Sequence, residues 1–167
     1  MAFRRILYVV LMVALSVDIV TAIKPQCSKC PSKWTLHNGN CYHVFLIGKT
    51  FAEAEKHCQE FTRVGQGHLA SIGSALEHDL LFEMWKSVRG TTKVGMWIGL
   101  TDKAKEGKFV WTDGSSTNYA KWDNGQPDNY ADREHCTHMM IDRSDGRWND
   151  LNCNQVYSYM CKISPTE

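Results

Sequence analysis

Seven cysteines, Cys27, Cys30, Cys41, Cys58, Cys136, Cys153 and Cys161, constrain this 167-residue chain more than any other feature. What they can do depends on the compartment, and the first residues bear on that. Arg4-Arg5 precede an apolar run from Ile6 to about Leu15, and Val20-Thr21-Ala22 closes it with small residues. This is the layout of a secretory signal peptide cleaved after Ala22. A membrane anchor fits less well, because Asp18 interrupts a run already shorter than the ~20 apolar residues a span requires. The expectation is a leader at 1–22 and a secreted, extracellular product with no membrane insertion. In an oxidising compartment the cysteines read as disulfides, and their odd number leaves one for an intermolecular bond or a free thiol. Six cysteines allow fifteen connectivities, so the pairing stays open at this level. Cys27-x-x-Cys30 as a redox or zinc motif lacks a second C-x-x-C and a βαβ pattern to support it.

The formal charge of +1 gives no reason to expect nucleic acid or an anionic membrane as partner. From Ile23 onward the chain is about one domain long, enough to bury a core that disulfides supplement. A polar lead at 23–29 carries Cys27. His37-Asn38-Gly39-Asn40 then predicts a hairpin between short strands around Trp34 and Tyr42 to Phe45. Thr50 to Phe61 reads as a helix, with Glu53 completing a capping box and Phe51, Ala54, Cys58 and Phe61 at helical spacing. A second helix is predicted from Ser74 to Ser87, capped by Ser74 and Glu77, with Leu80, Leu81, Met84 and Trp85 inward. Met96 to Leu100 and Phe109 to Trp111 suit strands, as do Cys136 to Ile141, Gly146 to Trp148 and Tyr157 to Cys161. Between Thr112 and Glu134 no periodicity survives, and a loop of that length in a compact domain is functional or disordered.

Within and after that loop stand Gln126, Asp128, Glu134, Asn149 and Asp150. They supply side-chain oxygens. Hard cations such as Ca²⁺ take six to eight oxygen ligands, whereas zinc favours His and Cys. Amide ligands keep N–H donors and carboxylates keep acceptor lone pairs. A molecule with vicinal hydroxyls could therefore meet the ion and its ligands together.

Trp97-Ile98-Gly99-Leu100, Gln126-Pro127-Asp128 and Trp148-Asn149-Asp150, in order with Cys136, Cys153 and Cys161, resemble the C-type lectin domain family. The resemblance spans Cys30 to Lys162 and is strongest to the small soluble galactose-type lectins of echinoderms. It implies an α+β fold at 30–163: two helices packed on small antiparallel sheets, a long calcium-binding loop and a disulfide staple. It implies the pairs Cys30–Cys41, Cys58–Cys161 and Cys136–Cys153, leaving Cys27 for an interchain bond in a homodimer. It places Ca²⁺ on Gln126, Asp128, Glu134, Asn149 and Asp150, with a cis bond before Pro127. Gln-Pro-Asp in this family goes with galactose or N-acetylgalactosamine, where Glu-Pro-Asn goes with mannose. Tyr130 stands where galactose-type members place Trp, offering a ring to the apolar face of the sugar; the competing placement buries it against Trp122. His135 or His138 would lie near an acetamido group. Asp102 and Glu106 match the first half of a second calcium site. Asn129 and His135 replace its carboxylates, so a weak second ion or none is expected.

These residues imply a secreted, calcium-dependent lectin for terminal galactose or N-acetylgalactosamine that agglutinates through multivalency. The alternative is a calcium-independent member of the same fold, binding a protein, mineral or ice surface. No G-x-S-x-G, H-E-x-x-H or P-loop occurs, and no enzymatic activity is expected.

Overall fold

The computed structural model describes residues 30–62, 65–91 and 95–164. The expected leader and the lead carrying Cys27 lie outside the described residues.

Asn38 and Gly39 both hold positive φ, 46° and 78°, as a tight turn matched to strand twist requires. They join β1 (Thr35–His37) to β2 (Asn40–Lys49). Thr50 then starts α1 (Phe51–Cys58): its hydroxyl accepts from the Glu53 N–H, and the Glu53 carboxylate accepts from the Thr50 N–H at 3.0 Å. Phe51, Ala54 and Cys58 form the buried face. The helix stops short of the expected Phe61, whose ring instead stacks on Phe45 and meets Trp34 edge-on. Next comes β3 (Gln66–Leu69). It runs so close to the end of α1 that a Cβ on Gly67 would sit 2.3 Å from the Cys58 carbonyl oxygen.

In α2 (Ala75–Val88) the Ser74 hydroxyl accepts from the Glu77 N–H at 3.2 Å. The reciprocal half of the expected capping box differs: the Glu77 carboxylate accepts from the Gly73 N–H at 2.7 Å and turns inward. Glu77, His78, Leu81, Phe82 and Trp85 are buried, while the expected Leu80 and Met84 are only half-buried. The inner stripe therefore lies toward Phe82 and His78, which stack on each other.

The remaining strands are β4 (Met96–Thr101), β5 (Val110–Trp111), β6 (Cys136–Met139), β7 (Trp148–Leu151) and β8 (Tyr157–Ser164). They build one sheet in the order β1-β2-β8-β4-β6-β7, with β3 also on β8 and β5 on β4. Two helices pack with this largely antiparallel sheet as expected, and one strand pair, β4 with β8, runs parallel. Strand β8 is buried from Ser158 to Ile163, the coverage on both faces that goes with strands in parallel pairings.

Three disulfides link Cys30–Cys41, Cys58–Cys161 and Cys136–Cys153. The second closes 103 residues of sequence, and a loop near that size contributes about 4.7 kcal/mol in the chain-entropy account. Two apolar clusters fill the interior. One centres on Trp85, Trp111 and Trp148, the other on Phe51, Trp97 and Tyr159. Trp148 anchors the loop expected to be functional: its indole meets Trp111, Tyr119 and Trp122 edge-on and donates to His78 Nδ1 at 3.2 Å. Its backbone receives that loop through Lys121 and Asp123.

Candidate metal centre

Strands β6 and β7 pair antiparallel with Thr137 opposite Asp150 and His138 opposite Asn149. This short ladder, stapled by Cys136–Cys153 at one end, sets Asp150 against the long loop. The Asp150 carboxylate accepts from the N–H groups of Asp128 and Asn129 at 3.1 and 2.8 Å. Glu134 plays the matching part from the other side. Its carboxylate accepts from the Tyr130 N–H at 3.2 Å, and its own N–H donates to Asn129 Oδ1 at 3.0 Å. Side chains thus shape the loop around Asn129, Ala131 and Asp132, all at positive φ. Gln126–Pro127 is cis.

Asp128, Glu134 and Asp150 each place one carboxylate oxygen within 4.8 Å of the other two. Asp150 is only 1% exposed. The Glu134 carboxyl is held above its ordinary value, first by burial and then by the charges of Asp150 and Asp128. Two further acceptors point the same way. Gln126 Oε1 and Asn149 Oδ1 are buried and accept no hydrogen bond among the described residues. A buried amide oxygen without a donor costs about 1–3 kcal/mol. Close carboxylates with no ion-pair partner among the described residues, and unpartnered amide oxygens on residues close to them in sequence, fit a hard cation by charge and by donor type. Of the five residues expected as ligands, Asp128, Glu134 and Asp150 come together in one cluster, while Gln126 and Asn149 carry buried amide oxygens with no donor among the described residues.

Tyr130 is 73% exposed. It is not buried against Trp122, which meets Phe109 and Trp148 edge-on instead. His138 departs from its expected place beside a sugar substituent. It is 8% exposed, stacked on Tyr157 with an interplanar angle of 7°, and its Nε2 lies 3.3 Å from Asn149 Nδ2. Burial pushes its imidazole down to about 4, so the ring is neutral at physiological pH. The hydrophobic packing of Tyr157 and Trp97 explains the difference, since those rings claim His138 for the interior.

Asp102, Glu106 and His135 form a separate group within the same 4.8 Å limit. Here the imidazole Nδ1 lies 3.2 Å from Asp102 Oδ1 and 3.3 Å from Glu106 Oε2, and the Gly107 N–H donates to Asp102 Oδ2 at 2.8 Å. His135 faces these acids, while Asn129 is engaged by Glu134. Sequence reasoning also missed Asp123. Its carboxylate takes Arg143 Nε at 2.6 Å and its carbonyl accepts from the Gln126 N–H at 3.0 Å. It thereby ties the Gln126 turn to the β6–β7 turn, and nothing local in the sequence marks that pairing.

Fold and cluster together define a small disulfide-stapled binding domain with an oxygen-lined surface site. The chain belongs to the Lectin C-type domain family, whose model matches residues 47–163. It is 54% identical over 172 residues to the alpha-N-acetylgalactosamine-specific lectin of Patiria pectinifera, covering 99% of both chains. It is 37% identical over 142 residues to echinoidin of Heliocidaris crassispina, covering 80% of this chain and 96% of that one. The crystal structure of the C-type lectin CEL-I from Cucumaria echinata superposes with a TM-score of 0.78 at 33% identity, over 83% of this chain and 99% of that one. Family and relatives are lectins, and the chain is a carbohydrate-binding protein, not an enzyme. No helix among the described residues is long and apolar enough to cross a membrane.

Proposed function

We propose that this chain is a secreted, Ca²⁺-dependent lectin for terminal galactose and N-acetylgalactosamine. The observation that carries the reading is the cluster of Asp128, Glu134 and Asp150 carboxylates, supported by the unpartnered amide oxygens of Gln126 and Asn149. Those five residues would hold the ion, and a bound Ca²⁺ supplies open coordination positions for two vicinal sugar hydroxyls. The residues do the rest. Gln126 and Asn149 keep amide N–H groups to donate to sugar oxygens, while the carboxylates accept from sugar hydroxyls. Gln at 126 and Asp at 128 set the order of donors and acceptors that favours the galactose arrangement. Tyr130 presents an exposed ring to the apolar face of the sugar. The specificity named for the Patiria pectinifera relative supports including N-acetylgalactosamine.

One monosaccharide makes few contacts, so single-site affinity is about millimolar to sub-millimolar. Agglutination then needs multivalency, which a Cys27-linked homodimer would begin to supply. The test is retention of the mature protein on galactose-, N-acetylgalactosamine- and mannose-coated beads, with Ca²⁺ and then with excess EDTA. Retention on the first two and release by EDTA is the expected result. Retention on mannose alone would overturn the specificity. No calcium-dependent retention on any of the three would favour a calcium-independent protein or mineral ligand. A non-reducing gel of the Cys27→Ser variant, expected to show monomers, checks the interchain bond.

A further inference from the structure

We infer that His138 is a positioning residue for the metal centre: its ring fixes which way the Asn149 amide faces. The inference rests on the calcium reading above and deepens it. Asn149 can present either end of its amide to the site, and only the oxygen is a ligand. Its Nδ2 lies 3.3 Å from His138 Nε2, and its Oδ1 is buried with no donor among the described residues. A neutral imidazole offers one lone pair and one N–H. With the lone pair on Nε2, the Asn149 NH₂ donates to the ring and the oxygen is left free to coordinate. The ring proton then sits on Nδ1, which is buried with no acceptor among the described residues.

The ring cannot easily turn to offer anything else. Tyr157 stacks on it with centroids 5.4 Å apart and Trp97 meets it edge-on at 6.2 Å. Its other edge faces Gly95 so closely that a Cβ there would lie 2.1 Å from His138 Nδ1. The cross-strand register puts His138 directly opposite Asn149, so the contact is built into the β6–β7 ladder. A buried histidine beside an exposed-type site would ordinarily be packing alone. Among the described residues its one polar contact is to a residue whose orientation the proposed ligand set requires.

The experiment is a Ca²⁺ titration by calorimetry on wild type, His138→Leu and His138→Gln, with the thermal midpoint of each metal-free protein measured alongside. Leu fills the space without an acceptor, whereas Gln carries its side-chain oxygen near the place of Nε2. Outer partners that orient metal ligands are worth about 10- to 100-fold in affinity. The expected result is a Leu variant weakened by that factor and a Gln variant within about threefold of wild type, at similar metal-free midpoints. Equal weakening of both variants, tracking a fall in metal-free midpoint, would make the residue packing alone and overturn the inference. So would unchanged affinity in the Leu variant. Absence of Ca²⁺ binding by wild type would instead overturn the calcium reading, and the inference with it.

Discussion

Glu77 and Asp150 are both buried carboxylates, 9% and 1% exposed, yet their surroundings differ in sign. Around Glu77 the chain supplies every counter-group: the Tyr42 hydroxyl donates to it, as do the Gly73 N–H and the Lys162 ammonium at 3.0 Å. Lys162 in turn donates to both oxygens of Ser71. Around Asp150 the chain supplies two backbone N–H groups but also two more carboxylates, Asp128 and Glu134. The first arrangement is electrostatically closed and holds α2 to β2 and β8. The second is short of positive charge. That shortage distinguishes a site from a strut built of the same chemistry.

The comparison breaks first at Glu77. Replacing it with Leu leaves the Lys162 ammonium buried without its partner, which typically costs about 3–5 kcal/mol. Urea unfolding in EDTA should register that loss, while Ca²⁺ affinity of the folded protein stays unchanged. Acid should act through the same group. Burial alone would raise the Glu77 carboxyl, but the Tyr42 and Gly73 hydrogen bonds and the Lys162 charge outweigh it and bring it below 4.5. A lowered folded value means that the stabilisation is complete above the ordinary carboxylate range and is lost as pH falls through it. The metal-free midpoint of wild type should therefore drop below about pH 4.5 through this contribution. A Glu77→Leu protein with the same acid slope would refute the assignment.

Asp150→Asn should show the opposite profile. Ca²⁺ binding is expected to weaken on the order of 100-fold, about 2.8 kcal/mol. Metal-free stability should change by only about 1 kcal/mol, because one lost N–H acceptor is set against relieved repulsion with Asp128 and Glu134. Asp102→Asn is the control from the second cluster. His135 already lies within reach of both acids there, so calcium-dependent retention on galactose beads should be unaffected. A tenfold loss of retention would instead mean that Asp102 supports a functional ion.

How much of this was legible in the chain depended on how far apart the partners lie. Thr50 with Glu53, and Asn38 with Gly39, are local pairs whose chemistry dictates their geometry, and both form as read. The proposed metal residues could be picked out as a set because residue types reveal donor atoms. Glu77 read only as a helix cap, because its buried partners Tyr42 and Lys162 come from β2 and β8. Strand β3 was missed: Gln66-Gly67-His68-Leu69 lacks the alternation of a strand, and Gly67 serves an approach to α1 that no local pattern encodes. His138 was misplaced because nothing in Cys-Thr-His-Met tells an inward face from an outward one. That required the register with Asn149 and the rings of Trp97 and Tyr157.

The smallest expected effect tests the outermost layer of the site. Tyr130 carries no ligand atom in the proposed ion sphere, and its ring is open to solvent, yet its backbone N–H donates to Glu134. Tyr130→Ala keeps that N–H and removes only the ring. Stacking of this kind is worth about 0.5–1.5 kcal/mol, so galactose affinity should fall about two- to tenfold. Ca²⁺ affinity should hold, because Glu134 and Asp150 retain their backbone donors. Equal loss of both affinities would show that the side chain orders the loop, and the division between an ion layer set by carboxylates and a sugar layer set by an exposed ring would have to be redrawn. Loss of neither would remove Tyr130 from the sugar contact and leave the 126–128 donor–acceptor order as the sole basis for galactose preference.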